Sequence, residues 1–181
     1  AASFLLLPAH SHDFDGSRKG FILGLGAGFG SAKQTVSDQG ASISNTESGL
    51  ATTFKIGAGL SDKFLLYYSN RVVFFSADMI DGTSHGFIQG MSALAGTYYL
   101  EPTGASVFFT GELGAGVISD RDAETSDSGF GFGLGLGFDF GNHFVVEGSF
   151  MHATVGSEDI LGVSVAESIT NFMVTVNWLG F

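Results

Sequence analysis

Between residues 129 and 140 the chain reads Gly-Phe-Gly-Phe-Gly-Leu-Gly-Leu-Gly-Phe-Asp-Phe. Phe130, Phe132, Leu134, Leu136, Phe138 and Phe140 share one parity, and four glycines and Asp139 follow Gly129 on the other. No helix produces so strict a period of two, and each glycine inside a helix costs about 1 kcal/mol. A strand does, because successive side chains point to opposite faces. The segment also matches the ~9–11 residues that a tilted strand needs to cross the hydrocarbon of a bilayer. This pattern predicts a membrane strand with an apolar face and a nearly bare one.

The same alternation recurs along the chain. Phe21, Leu23, Leu25, Ala27 and Phe29 stand opposite Ile22, Gly24, Gly26, Gly28 and Gly30. Leu50, Phe54, Ile56, Ala58 and Leu60 stand opposite Ala51, Thr53, Lys55, Gly57 and Gly59. Val107, Phe109, Leu113, Ala115 and Val117 oppose Phe108, Thr110, Glu112, Gly114 and Gly116. Phe144, Val146, Gly148 and Phe150 oppose Val145, Glu147, Ser149 and Met151. Segments 64–76 and 86–100 alternate less cleanly, and 168–178 completes a set of eight.

The connections support that count. Ser61-Asp62-Lys63, Glu101-Pro102-Thr103-Gly104 and Gly141-Asn142 are short and carry turn chemistry. The polar stretches 31–48, 77–85, 119–128 and 155–167 are long and are expected as loops. Short and long connections alternate strictly, as in an outer-membrane barrel with both termini in the periplasm. The expected fold is all-β: an eight-stranded antiparallel up-and-down transmembrane barrel over residues 20–181, preceded by a segment at 1–19. A soluble barrel of the lipocalin kind would turn its apolar face inward around a ligand. Here the parity opposite the phenylalanines is mostly glycine, which suits a narrow interior better than a water-facing exterior.

Composition removes other classes. The chain is 44% hydrophobic and 14% charged, yet no apolar run approaches the ~18 residues of a spanning helix. Two prolines in 181 residues suit a chain that is mostly strand. The absence of cysteine removes disulfides and thiolate chemistry, and a net charge of −11 argues against nucleic acid. Two readings stay open at the N-terminus. Phe4 to Leu7 and Ala9-His10-Ser11 resemble the end of a signal peptide with its cleavage site, or the segment is a periplasmic tail.

With Gly96-Thr-Tyr-Tyr-Leu100 running into a Pro-Gly turn and Phe181 at the end, the chain resembles the small eight-stranded outer-membrane barrels of the OmpA transmembrane domain and OmpX-like group. The resemblance implies the bacterial outer membrane as the location, and outer-membrane lipid, lipopolysaccharide and the barrel-assembly machinery as partners. It also implies a C-terminal assembly signal, here Phe172, Val174, Val176, Trp178 and Phe181. Phe181 is one residue out of phase with the other four, so the pattern calls for a bulge near Gly180 or for an imperfect signal.

Lys55, Arg71, Glu112, Asp139 and Glu147 fall on lumen parities. Eight strands enclose room for side chains rather than for a wide channel. Charges withdrawn from water must pair, so these five are expected to form a polar network. The alternative is a small channel or a hydrophobic-solute conduit. His152-Ala-Thr154 resembles the His-x-Ser pair of lipid A deacylase with threonine in place of serine, a remote reading as a lipid A-modifying hydrolase. The histidines and aspartates of His10-Ser-His12-Asp-Phe-Asp15 and the acidic stretch at 120–127 are of metal-binding types but lack regular spacing. The glycines at 24–30 have period two and no nucleotide-binding spacing. The sequence therefore predicts a non-enzymatic barrel without cofactor or metal. Its extracellular loops would serve envelope integrity, adhesion or docking to an envelope or extracellular protein.

Overall fold

The computed structural model describes residues 17–38, 41–78, 82–158 and 164–181. The possible leader at 1–11 and the cluster of His10, His12, Asp13 and Asp15 lie outside the described residues. Eight strands follow in order: β1 (Gly20–Asp38), β2 (Ala41–Gly59), β3 (Phe64–Asp78), β4 (Ser84–Tyr99), β5 (Ser106–Asp120), β6 (Thr125–Asp139), β7 (Phe144–Glu158) and β8 (Ser164–Gly180). Each pairs antiparallel with the next, and β1 also pairs with β8, so the sheet closes into an up-and-down barrel. Closure satisfies every strand edge, which a sheet standing in hydrocarbon requires.

Parity decides which way each side chain points. Phe21, Leu25 and Phe29 on β1, Leu134 and Leu136 on β6, and Phe172, Val174 and Val176 on β8 are all exposed. Phe29 is 78% exposed and Phe130 70%. A soluble monomer rarely exposes a contiguous apolar patch beyond a few hundred Å². Here the patch runs round the whole barrel, and it is the lipid-facing belt. Near the end that carries the termini, Phe64, Tyr98, Phe140, Phe144 and Trp178 stand on this surface, where a barrel places an aromatic girdle.

Strands of 15–19 residues exceed the ~9–11 that hydrocarbon requires. The surplus stands at the end away from the termini. On β1 the outward positions after Phe29 are Ser31, Lys33 and Thr35, and on β2 those before Leu50 are Ser48, Thr46 and Ser44. Those polar residues still pair strand to strand, with Lys33 opposite Thr46 and Thr35 opposite Ser44.

This corrects the expectation of four long loops. Much of 31–48, 77–85, 119–128 and 155–167 is strand, and the β5–β6 connection is a turn of only 121–124. Ladder hydrogen bonds do not depend on side-chain polarity, so a change from apolar to polar residues marks the edge of the membrane, not the end of a strand. The less regular segments 64–76 and 86–100 coincide with nearly the whole of β3 and β4. At the opposite end the connections are the expected short ones, with Gly104 and Gly141 at positive φ.

Candidate functional site

The interior is stacked in layers from the short-turn end to the long-strand end. At the floor, Ile22, Leu65, Tyr99, Phe108, Val145 and Leu179 form an apolar cluster. Above it lies a charged layer. Arg71 donates from Nη2 to Glu147 Oε1 at 2.7 Å and from Nε to Glu112 Oε2 at 3.1 Å. Lys55 Nζ donates to the other oxygen of Glu147 at 2.6 Å. All four side chains are buried. Tyr67, Thr97 and Thr110 add a chain of hydroxyls, each link 2.8 Å long. Above the charges, Met91, Ile118, Met151, Val155 and Ile169 form one apolar cluster, and Ala32, Ala51, Val73 and Met173 another. Gln89 and Asn171 hydrogen-bond at that level.

The glycines of β6 make this layer possible. A Cβ at Gly133 would collide with Glu112 Oε1, and one at Gly135 would stand 2.6 Å from Glu147 Oε1. The bare face of β6 is the space the carboxylates of β5 and β7 occupy.

Of the five lumen residues expected to act together, the structure brings four into one network. Asp139 lies apart, at the floor, and its partner is Arg18. Arg18 Nε donates to Asp139 Oδ2 at 3.0 Å, and its remaining nitrogens reach the carbonyls of Glu101 and Gly104 at 3.0 and 2.5 Å. Its guanidinium lies over the Tyr99 ring, 4.0 Å from the centroid. Arg18, just ahead of the first strand, thus fills the base of the barrel. Two cations set against three carboxylates left one buried charge unmatched, and that imbalance is the sequence signal for a third cation.

Phe172, Val174, Val176 and Trp178 face outward, as expected. The ladder runs without interruption to Gly180 opposite Leu23, so no bulge intervenes. Phe181 keeps the lumen parity of Leu179, packs against the floor cluster and stacks on His143 at 6.4 Å. His152 Nδ1 hydrogen-bonds Thr170 Oγ1 on the neighbouring strand at 3.0 Å.

At the long-strand end the barrel opens into a cavity of about 320 Å³. Glu47, Asp78, Asp120, Asp127 and Glu167 contribute carboxylates to its wall, and among the described residues no lysine or arginine lines it. Phe75 and Phe87 stack at 5.5 Å along one side. Glu167 is only 7% exposed and accepts a hydrogen bond from Gln34 Nε2 at 2.5 Å. Burial pushes its carboxyl above the usual range, and the nearby Asp127 adds to the rise. At the rim, the hydrogen bond with His85 holds the Asp120 carboxyl below that range.

No protein-family model matches the sequence, and no curated protein does. Solved structures do match. Ail, the attachment invasion locus protein of Yersinia pestis, aligns with 88% of this chain and 98% of its own at 13% identity, TM-score 0.54. The same protein in complex with the heparin analogue sucrose octasulfate aligns with 88% of this chain and 99% of its own at 12% identity, TM-score 0.53. Neisserial surface protein A aligns with 87% of this chain and 96% of its own at 10% identity, TM-score 0.57. At such identities the likeness is one of fold: the chain is an eight-stranded, membrane-spanning β-barrel of the outer-membrane type.

Proposed function

We propose that this protein is a non-enzymatic barrel of the bacterial outer membrane whose extracellular mouth docks a positively charged segment of an envelope or extracellular partner. The observation that carries this reading is the mouth cavity, with five carboxylates and, among the described residues, no lysine or arginine in its wall. A wall of one sign focuses field and attracts ligands of the other. Ail was solved with a sulfated ligand; an acidic mouth favours the opposite charge class. The layers below the mouth support a docking role over a conduit, since apolar and charged side chains fill the lumen at successive levels. The exposed face of β8, with Phe172, Val174, Val176 and Trp178, and the terminal Phe181 at the floor are the parts we assign to recognition by the assembly machinery.

The test pairs two measurements on the barrel. In planar bilayers it should give no stable ion-selective conductance, and a steady conductance would return the channel reading. In nanodiscs of zwitterionic lipid it should bind oligolysine in a salt-dependent manner. Combining Glu47→Gln, Asp78→Asn and Asp127→Asn should abolish most of that binding, whereas Asp62→Asn with Glu101→Gln at the other end should not. Equal loss from both sets would mean a general charge effect and would defeat the docking reading.

A further inference from the structure

Where β4 begins and β5 ends, three metal-ligating side chains converge at the rim of the mouth. His85 Nδ1 and one oxygen each from Asp120 and Asp122 lie within 4.8 Å of one another. Backbone contacts set this arrangement. The Gly86 amide donates to Asp122 Oδ2 at 2.7 Å, and the Arg121 amide donates to the Gly86 carbonyl at 2.9 Å. The amides of Asp122 and Ala123 donate to Asp120 Oδ1, which leaves Oδ2 turned toward His85, 2.9 Å from Nδ1. Among the described residues, Arg121 forms no ion pair with either aspartate although it stands between them in sequence.

The imidazole separates this group from an ordinary acidic turn. One nitrogen and two carboxylate oxygens form a mixed donor set suited to a borderline divalent metal, whereas calcium and magnesium take oxygen alone. A neutral imidazole with two carboxylates carries two negative charges, matched by one divalent cation. The group is also open on one side: 24% of the His85 side chain and 10% of the Asp120 side chain are exposed, and Asp122 is exposed. Solvent can therefore complete the coordination. Asp120 lines the acidic cavity too, so the local field raises the concentration of cations where the donors stand.

We propose that His85, Asp120 and Asp122 form a binding site for a divalent transition metal, with Zn²⁺ as its leading occupant. The metal takes the position of the proton between His85 Nδ1 and Asp120 Oδ2, and the ring keeps its proton on Nε2. Bonds of about 2.0–2.2 Å set tetrahedral donors about 3.4 Å apart, so His85 Nδ1 and Asp120 Oδ2 move slightly apart to admit the metal and the exposed Asp122 side chain rotates in to meet it. The site does not depend on the docking role proposed above.

The experiment uses the full barrel in detergent micelles, stripped with chelator and carrying His10→Ala and His12→Ala so that the N-terminal imidazoles do not contribute. Titration calorimetry with zinc chloride should show one Zn²⁺ per barrel. His85→Ala and Asp122→Asn should each weaken it at least about tenfold. In the barrel with His85 intact, a ¹⁵N-histidine spectrum followed through the titration should move the His85 nitrogens and leave those of His143 and His152 in place. The spectrum settles the matter even if His85→Ala fails to fold. Absence of saturable binding, unchanged affinity in the folded His85→Ala barrel, or a shift confined to another histidine would overturn the site.

Discussion

Glu147 and Glu167 are both more than nine-tenths removed from solvent, on neighbouring strands of one barrel. Glu147 sits between Lys55 and Arg71 and shares one oxygen with each. Among the described residues, Glu167 has a single neutral donor, Gln34, and an acidic neighbour, Asp127. The same contrast holds layer by layer. In the lumen, Glu112, Glu147 and Asp139 each meet a guanidinium or an ammonium group. At the mouth, five carboxylates line a cavity that has no lysine or arginine in its wall among the described residues, and Asp120 is hydrogen-bonded to the His85 imidazole. Inside the membrane an unmatched charge has no water to turn to, so pairing is a condition of folding. At the mouth, water is close enough to tolerate the excess, and an excess of one charge is available for recognition.

The largest effect should come from unpairing the interior. Glu147→Leu removes the carboxylate that Lys55 and Arg71 share and leaves two cations buried. Breaking a buried pair costs about 3–5 kcal/mol, and the loss should be read as a lower urea midpoint for the barrel in micelles. Adding Lys55→Met should recover part of it, since one stranded charge then leaves with its partner. A midpoint that does not move would mean that the interior charges are hydrated rather than paired, and the contrast with the mouth would collapse.

A smaller effect should follow from filling the space the network occupies. Gly133→Val drives its side chain into Glu112 Oε1, which even a bare Cβ there would meet. Forcing extra atoms into a packed interior costs about 1–3 kcal/mol. Gly148 faces lipid, where an added Cβ would meet only the Leu136 carbonyl oxygen, at 3.8 Å. Gly148→Ala should therefore leave the midpoint close to that of the unchanged barrel. Equal losses at the two positions would show that glycine serves the strand backbone and not the carboxylates.

Much of this was legible before any coordinates. Strict alternation of Phe and Gly over 129–140 gives both strand and facing, because parity is a local property that long-range packing does not alter. The lumen position of Glu112 and Glu147 follows from the same parity. What alternation does not carry is register, and register decides which lumen charges meet. Asp139 shares parity with the glycines that receive the network, yet it lies at the floor, where Arg18 reaches it from outside the strands. The converging His85, Asp120 and Asp122 were out of reach for the same reason. Asp120 and Asp122 are close in sequence, but only the pairing of β4 with β5 brings His85 to them.

The smallest and most selective change should appear at the mouth, as a response to pH. The carboxyl of Glu167 is raised in the folded barrel by burial first and by Asp127 second. A raised carboxyl favours the folded state while protonated. That contribution is present below the ordinary carboxylate range and is lost as pH climbs through the raised value. Glu167→Gln keeps a hydrogen-bonding side chain but removes the titration. The unchanged barrel should thus lose more stability than Glu167→Gln between acidic and neutral pH, with the two nearest each other at the acid end. Urea midpoints measured across that span would show the difference. Parallel profiles would mean that Glu167 already has a counter-charge at neutral pH, and the mouth would then resemble the lumen it has been set against.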